Sequence, residues 1–255
     1  MKPRIGIFGL TSCAGDQLAI INCEEELLDI LSAVDIRSFV MAQSRNEDQK
    51  LDVAFVEGSV VTQEDEEKLK KIREESGLVI AIGTCAVWGG IPASRNDLDR
   101  KELYQRVYQK EENLYQCRPQ VSPLSEVVKV DFSIAGCPIE KEEILRSVAS
   151  LVHGDLPLLP SYAVCFECKL KENVCLLKEK GQLCCGPITL GGCEARCPSL
   201  SIPCKGCRGP VPEANIASEF EILREKGYSP ADIARMLTTF AYSTDILTRR
   251  EGGKR

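Results

Sequence analysis

Short apolar runs alternate with longer, half-apolar stretches along residues 1–155. The run from Arg4 to Leu10 predicts a buried strand. Ile36 to Met41, Val53 to Val56, Leu78 to Ile82 and Val127 to Ile134 predict four more. Asp16 to Leu31 reads as a helix with Leu18, Ile21, Leu28 and Leu31 on its inner stripe. Thr62 and Asp65 have the spacing of a capping box that opens a helix reaching Glu75, and the charges from Glu64 to Lys71 read as its solvated face. Pro138 falls where the first turn of a further helix, running to Val152, is expected. Repeated strand–helix alternation implies an α/β fold: a doubly wound, flavodoxin-like parallel sheet covered on both faces.

Past residue 155 the pattern breaks. Pro157, Pro160, Pro187, Pro198, Pro203, Pro210 and Pro212, with six glycines, leave residues 156–212 little room for long regular elements. Such a segment buries too little apolar surface to fold unaided, so bound metal is expected to supply the missing stabilisation. From Glu213 two helices return. Ser229-Pro230-Ala231-Asp232 is a helix start, followed at helical spacing by Ile233, Met236, Leu237 and Phe240. The tail beyond Arg249 is polar and expected to be disordered. The expected division is therefore 1–155, 156–212 and 213–255.

The net charge of −6, with both signs interspersed, argues against nucleic acid as a partner, because phosphate binding needs a clustered basic surface. No apolar run approaches the length of a membrane span, and the first residues read as a strand rather than an export signal, so a cytoplasmic location is expected. Cysteine changes the picture. Fourteen cysteines, nine of them in residues 156–212, are out of place as disulfides in a reducing compartment and point to soft-metal ligation.

Those nine are Cys165, Cys168, Cys175, Cys184, Cys185, Cys193, Cys197, Cys204 and Cys207: two groups of four and one spare. The C-x-x-C pairs Cys165/Cys168 and Cys204/Cys207 give the short bite that lets two thiolates reach one cluster. Eight thiolates suit two 4Fe–4S clusters. Two zinc sites would also use four thiolates each, but gaps of seven and nine residues within the first group suit a wrapped cluster better than a compact zinc knuckle. Cys13, Cys85 and Cys137 are far apart in sequence. Each follows the C-terminal end of a predicted parallel strand, so the sheet would bring them to the edge where ligands bind. The alternative there is a chance placement of three buried cysteines.

Thr11-Ser12-Cys13, Glu57-Gly58-Ser59, Gly83-Thr84-Cys85-Ala86-Val87-Trp88-Gly89-Gly90, Gly136-Cys137-Pro138 and the eight-cysteine block together resemble the small subunit of NiFe hydrogenases. The similarity is greatest to the cytosolic group with sulfhydrogenase delta subunits and the NAD(P)-, F420- and methyl-viologen-linked enzymes, and it covers the chain to about residue 212. The resemblance implies an N-terminal flavodoxin-like domain, an irregular cluster-binding segment and three 4Fe–4S clusters relaying electrons one at a time. The proximal cluster would be held by Cys13, Cys85 and Cys137. Cys193, Cys197, Cys204 and Cys207 resemble the medial set, and Cys165, Cys168, Cys175 and Cys184 the distal set. The implied partners are a nickel-bearing large subunit and a flavin or iron–sulfur subunit serving NAD(P), ferredoxin or F420, in a hetero-oligomer. Where the family usually has a second cysteine, this chain has Asp16, and its carboxylate is the expected fourth proximal ligand; the alternative is that Asp16 N-caps the following helix.

Cys23 reads as a core residue, Cys117 as a loop residue and Cys185 as a non-ligand beside Cys184. His153, the single histidine, is expected at the surface, and Glu57 is expected to orient its loop. Two rival readings remain: a free ferredoxin-like carrier, and a complex I-related subunit of the same ancestral fold. The latter group carries a tandem-cysteine proximal motif and usually lacks the eight-cysteine block.

Overall fold

Side chains that alternate along the central strands enter two different cores. In the computed structural model, which describes residues 2–23, 26, 32–109 and 117–240, the first half of the chain runs β1 (Arg4–Gly9), α1 (Gly15–Ile21), β2 (Asp35–Phe39), β3 (Leu51–Glu57), β4 (Val60–Thr62), α2 (Gln63–Glu75), β5 (Ser76–Ile82), α3 (Gly83–Trp88), α4 (Arg100–Tyr108), β6 (Cys117–Ser122), β7 (Phe132–Ile134) and α5 (Lys141–Val152). Five of these strands form one parallel sheet in the order β2-β1-β3-β5-β7, as a flavodoxin-like doubly wound chain requires. The short β4 and β6 pair antiparallel in a separate ribbon.

Ile5, Ile7, Val53, Phe55, Ile80, Ile82 and Ile134 point to one face of the sheet and pack with Ile20, Ile139, Ile144 and Val148. Phe8, Ala54, Val56, Val79 and Ala81 point to the other, against Leu69 and Ile72 of α2 and Ala86 of α3. The near-continuous apolar runs seen in the sequence are this double burial. Deleting a ring from such a core, as in Phe55→Ala, costs about 3–5 kcal/mol.

The last sheet strand is pinned by Asp131, which precedes it. Its carboxylate accepts from Val79 N–H at 2.9 Å and from Arg73, while its own N–H donates to Val79 O. Burial pushes this carboxyl upward, but Lys129, the Val79 N–H and Arg73 together overcome it and hold the group down at about 2.

Several boundaries differ from the expectation. The first helix is the seven-residue α1, and Leu18 is 46% exposed, so Ile20 rather than Leu18 faces the core; Leu28 and Leu31 lie outside the described residues. The fifth strand shrinks to Phe132–Ile134, because Val127 and Val128 donate their N–H groups back to Leu124 O and residues 127–131 run as turn, bend and irregular backbone. Pro138 is not in the first turn of α5, which starts at Lys141; a proline there would have been pre-organised for the helix, and instead it shapes the loop after Cys137. Cys117 opens β6 rather than sitting in a loop. The polar tail beyond Arg249 lies outside the described residues.

The second half holds α6 (Val164–Leu170), α7 (Arg196–Ser199), α8 (Ile216–Glu225) and α9 (Pro230–Thr238). Between them the backbone is irregular. Val164, Leu177, Ile188, Leu223, Ile233 and Leu237 form a second core that also takes in Cys184, Cys185 and Cys204, with Trp88 of α3 at its border. The helices after residue 213 thus supply apolar surface that the cysteine-rich segment lacks. Ser229 caps α9 as its sequence requires, accepting from Asp232 N–H at 3.2 Å.

The capping box of α2 does more than start a helix. Thr62 Oγ1 accepts from Asp65 N–H at 3.0 Å, and Asp65 Oδ2 accepts from Thr62 N–H at 2.9 Å. The same Oδ2 receives Thr11 Oγ1 at 2.8 Å, which ties the cap to the loop that carries Cys13. Thr62→Ala is expected to lower stability by about 1 kcal/mol, a fall in Tm of about 2–4 °C in thermal unfolding. Asp65→Ala, which removes the Oδ2 that accepts from Thr62 N–H, Val61 N–H and Thr11 Oγ1, should cost more than Thr62→Ala.

Candidate functional site

Cys13, Cys85 and Cys137 follow β1, β5 and β7, three strands of one parallel sheet, and therefore come to one edge. Cys13 and Cys137 are exposed and Cys85 half-buried, so this edge opens outward. The groups feel one another. Burial pushes the Cys85 thiol up to about 12, and Cys137, Asp16, Cys13 and Glu57 add to the rise. The Cys137 thiol is raised by burial and then by Asp16, Cys13 and Glu57.

Asp16 stands among these thiols but does not cap the helix. Ala14, in a left-handed conformation, is the N-cap of α1, and Asp16 lies inside the first turn. Its carboxylate is 6% exposed and Oδ1 accepts from Ile139 N–H at 2.8 Å. Burial raises this carboxyl to about 7; the Ile139 N–H opposes the rise and Glu57 reinforces it. The role of a cap falls to Glu57 instead. Fully buried at the end of β3, Glu57 accepts from Asp16 N–H at 3.3 Å, Gln17 N–H at 3.2 Å and Gln17 Nε2 at 2.9 Å. A carboxylate on the unsatisfied N–H groups of a helix start is favourable through both hydrogen bonding and the helix dipole. Glu57 thereby fixes the direction in which α1 leaves the Cys13 loop.

In the second half, Cys165, Cys168, Cys175 and Cys184 gather around one point. Burial pushes Cys165 up to about 12, followed by the influence of Cys184, Cys168, Cys175 and Glu219. Cys185 stands beside Cys184. It is buried in the second core against Ile188, Met236 and Leu237, with its thiol pushed up by burial to about 12, Cys184 adding to the rise. Cys207 is raised by burial to about 11, with Cys193, Cys137 and Cys197 adding to it. Cys204 lies against Cys184 and Cys185: its N–H donates to Cys184 Sγ at 3.3 Å and its carbonyl accepts from Cys185 N–H at 3.0 Å. Burial raises its thiol well above the ordinary range. Cys23 is a core residue, its thiol donating to Ala19 O at 3.5 Å, and His153 is exposed at the end of α5.

Buried acidic residues that sequence reasoning passed over stand within this geometry. Glu167, between Cys165 and Cys168, accepts from Gly192 N–H at 2.5 Å and Ala195 N–H at 3.0 Å, so one C-x-x-C pair orders the loop that carries Cys193. Glu219 of α8 is 2% exposed, has an Oε1 without a hydrogen-bond partner, and is pushed by burial up to about 7. Arg208 and Glu143 form a buried ion pair beside Cys207. An acidic residue between two candidate ligand cysteines was the one available signal. The others needed the fold.

The donor set fits iron–sulfur clusters. It consists of soft thiols in groups, and backbone gives way to them: a Cβ at Gly90 would lie 2.7 Å from Cys85 Sγ, and one at Gly186 would lie 3.3 Å from Cys165 Sγ and 3.6 Å from Cys184 Sγ. Burial disfavours the thiolate form of Cys85, Cys165, Cys204 and Cys207. A bound cation reverses that preference, so loading would release protons. Among the described residues, no three His, Cys, Asp or Glu side chains converge closely enough to hold a single metal ion.

Residues 13–151 match the family described as NADH ubiquinone oxidoreductase, 20 Kd subunit. The chain belongs to this family. The delta subunit of sulfhydrogenase 2 from Pyrococcus furiosus is 41% identical over 243 residues, covering 93% of this chain and 99% of that one. A subunit of the F420-non-reducing hydrogenase from Methanothermobacter marburgensis is 31% identical over 280 residues, with 92% and 91% covered. In three dimensions the chain is similar to a chain of an NAD+-reducing [NiFe]-hydrogenase in the H2-reduced state, at 27% identity and a TM-score of 0.59, covering 63% of this chain and 96% of that one. The family match ends at α5, and the relatives carry the similarity on through the cysteine-rich half.

Gly83, which opens the turn before Cys85, has φ +81°, and a Cβ there would lie 1.8 Å from Asp16 Oδ2. Gly83→Ala is expected to destabilise the protein by about 1–3 kcal/mol. Gly181→Ala, where φ is +62° but no atom lies within 4 Å, should cost less. Thermal unfolding of both variants checks the order: equal losses would show that the contact with Asp16 carries no energy.

Proposed function

We propose that this chain is the electron-relay small subunit of a NiFe hydrogenase, with the hydrogen-activating site on a partner chain. The observation that carries the proposal is the grouping of thiols: three at one sheet edge and eight in a block beyond it, in a chain similar along nearly its whole length to a sulfhydrogenase delta subunit. Residues 1–155 would hold the proximal cluster with Cys13, Asp16, Cys85 and Cys137. Residues 156–212 would hold the medial cluster with Cys193, Cys197, Cys204 and Cys207, and the distal cluster with Cys165, Cys168, Cys175 and Cys184. Helices α8 and α9, within residues 213–255, close the second core. When bound, 4Fe–4S clusters in these three sites supply one-electron transfer between the nickel–iron site of a large subunit and a flavin or iron–sulfur subunit serving NAD(P), ferredoxin or F420.

The chain's own part is to hold and screen. The outward-opening edge at Cys13 and Cys137 suits coverage by a large subunit. Glu57 and Glu167 orient the ligand loops through backbone N–H groups. Cys185 stays in the apolar core and leaves Cys184 to ligate. A hetero-oligomer of the cytoplasm belongs to the same reading. No helix among the described residues is long and apolar enough to cross a membrane. The family's description favours a second reading, a complex I-related subunit. That match stops at residue 151, before the cysteine block that a relay of three clusters uses.

Iron, acid-labile sulfide, nickel and zinc in the complex purified anaerobically through a tag on this chain test the proposal. The expected result is about 12 irons per chain, with nickel on a larger co-purifying subunit. Zinc at about two per chain with little iron would overturn it. Within that frame, Cys184→Ser should lose iron while Cys185→Ser keeps it. Asp16→Cys should change the proximal signal in potentiometric electron paramagnetic resonance; an unchanged signal would remove Asp16 from the ligand set.

A further inference from the structure

One buried ion pair joins the helical layer of the sheet to the cysteine block. Arg208 is 1% exposed and Glu143 0%. Arg208 Nη2 donates to both carboxylate oxygens, at 2.6 and 2.8 Å, and Nε donates to Gly191 O at 2.8 Å. The Arg208 carbonyl accepts from Trp88 Nε1 at 3.2 Å. The backbone leaves room for the pair: a Cβ at Gly192 would lie 2.3 Å from Glu143 Oε1 and 2.6 Å from Arg208 Nη2. Arg208 Nη1 is buried and has no hydrogen-bond partner.

Packing alone does not ask for these charges. Two apolar side chains of similar volume would join α5 to residues 191–208 at least as well, because taking both charges out of water is costly. An unused buried N–H adds to that cost and calls for an acceptor. The thiols nearby are those of Cys193 and Cys207. The guanidinium works against the burial that raises both of them.

We infer that Arg208 is an electrostatic positioning residue for the cluster assigned to Cys193, Cys197, Cys204 and Cys207, its Nη1 donating to a sulfur atom of that cluster and its fixed charge making the cluster easier to reduce. The inference rests on the iron–sulfur reading above. One electron added to the cluster raises its negative charge by one unit, and a cation held beside it in a poorly screened interior favours that state without any proton or further reactant. Glu143 clamps the cation and opposes part of its field.

The test is potentiometric electron paramagnetic resonance on the full complex, with the medial signal identified as the one altered by Cys197→Ser. Arg208→Met should move the midpoint of that signal to more negative potential. Glu143→Gln, which keeps the shape and removes the opposing charge, should move it to more positive potential. Arg208→Lys should fall between wild type and Arg208→Met. A packing role would not give shifts of opposite sign. Should Arg208→Met lose iron, the direction of Glu143→Gln decides. With full iron content, a negative shift or no shift in Glu143→Gln overturns the inference and leaves the relay reading intact. Wild-type complex without iron and sulfide overturns both.

Discussion

Thr84 and Trp88 stand one turn apart on α3, and both donate to the backbone that carries Cys207 and Arg208, Thr84 through Oγ1 to the Cys207 carbonyl and Trp88 through Nε1 to the Arg208 carbonyl. Cys85, the central thiol of the sheet edge, lies between them. The irregular half of the molecule is therefore fixed to the sheet at the point where the two sets of thiols come nearest. A relay depends on fixed spacing between its stations, and a segment with few regular elements cannot set that spacing from within. The sheet supplies a rigid edge, α3 carries the Cys85 thiol outward, and its flanking side chains hold the loop of Cys207 in place.

Buried charge does the remaining positioning, each group by a different partner. Glu57 takes the free N–H groups at the start of α1, and Glu167 takes those on either side of Cys193. Arg208 and Glu143 pair across the seam through Arg208 Nη2. A buried carboxylate is expensive unless its oxygens find donors, and in an irregular segment the unsatisfied backbone N–H groups are those donors. This explains why acidic residues occur next to thiols that would themselves carry negative charge: they hold backbone, and the backbone holds the thiols. Glu219 is the exception, since Oε1 has no partner and the structure gives it no backbone to hold.

The C-terminal helices belong to the same account. Leu223, Ile233 and Leu237 complete an apolar core around Cys184, Cys185 and Cys204. The hydroxyl of Tyr228 accepts from Leu183 N–H and donates to Gly181 O, fixing the approach to Cys184. The cysteine-rich segment is thus framed on one side by the sheet edge and on the other by two amphipathic helices, and a cofactor bound within it would have little freedom to move.

What the sequence determined by itself was whatever depends on local pattern. Period-two and continuous apolar runs gave the five sheet strands, the capping box gave the start of α2, Ser229-Pro230 gave the start of α9, and the spacing of cysteines after strands and in C-x-x-C pairs gave the groups of thiols that the fold brings together. Tertiary structure decided what depends on partners distant in the chain. Whether Asp16 caps α1 or sits among thiols turned on Ala14 and on Glu57, forty-one residues away. That Cys185 is walled by Met236 and Leu237 turned on the docking of α9, while Cys184 stands by Cys165 and Cys168. Glu143 and Arg208, sixty-five residues apart, are ordinary surface residue types in the sequence, and only the docking of α5 against the cysteine block takes both out of water. Local pattern is written in neighbouring residues because helix and strand repeat over a few positions, whereas burial of charge is a property of the assembled surfaces and has no local signature.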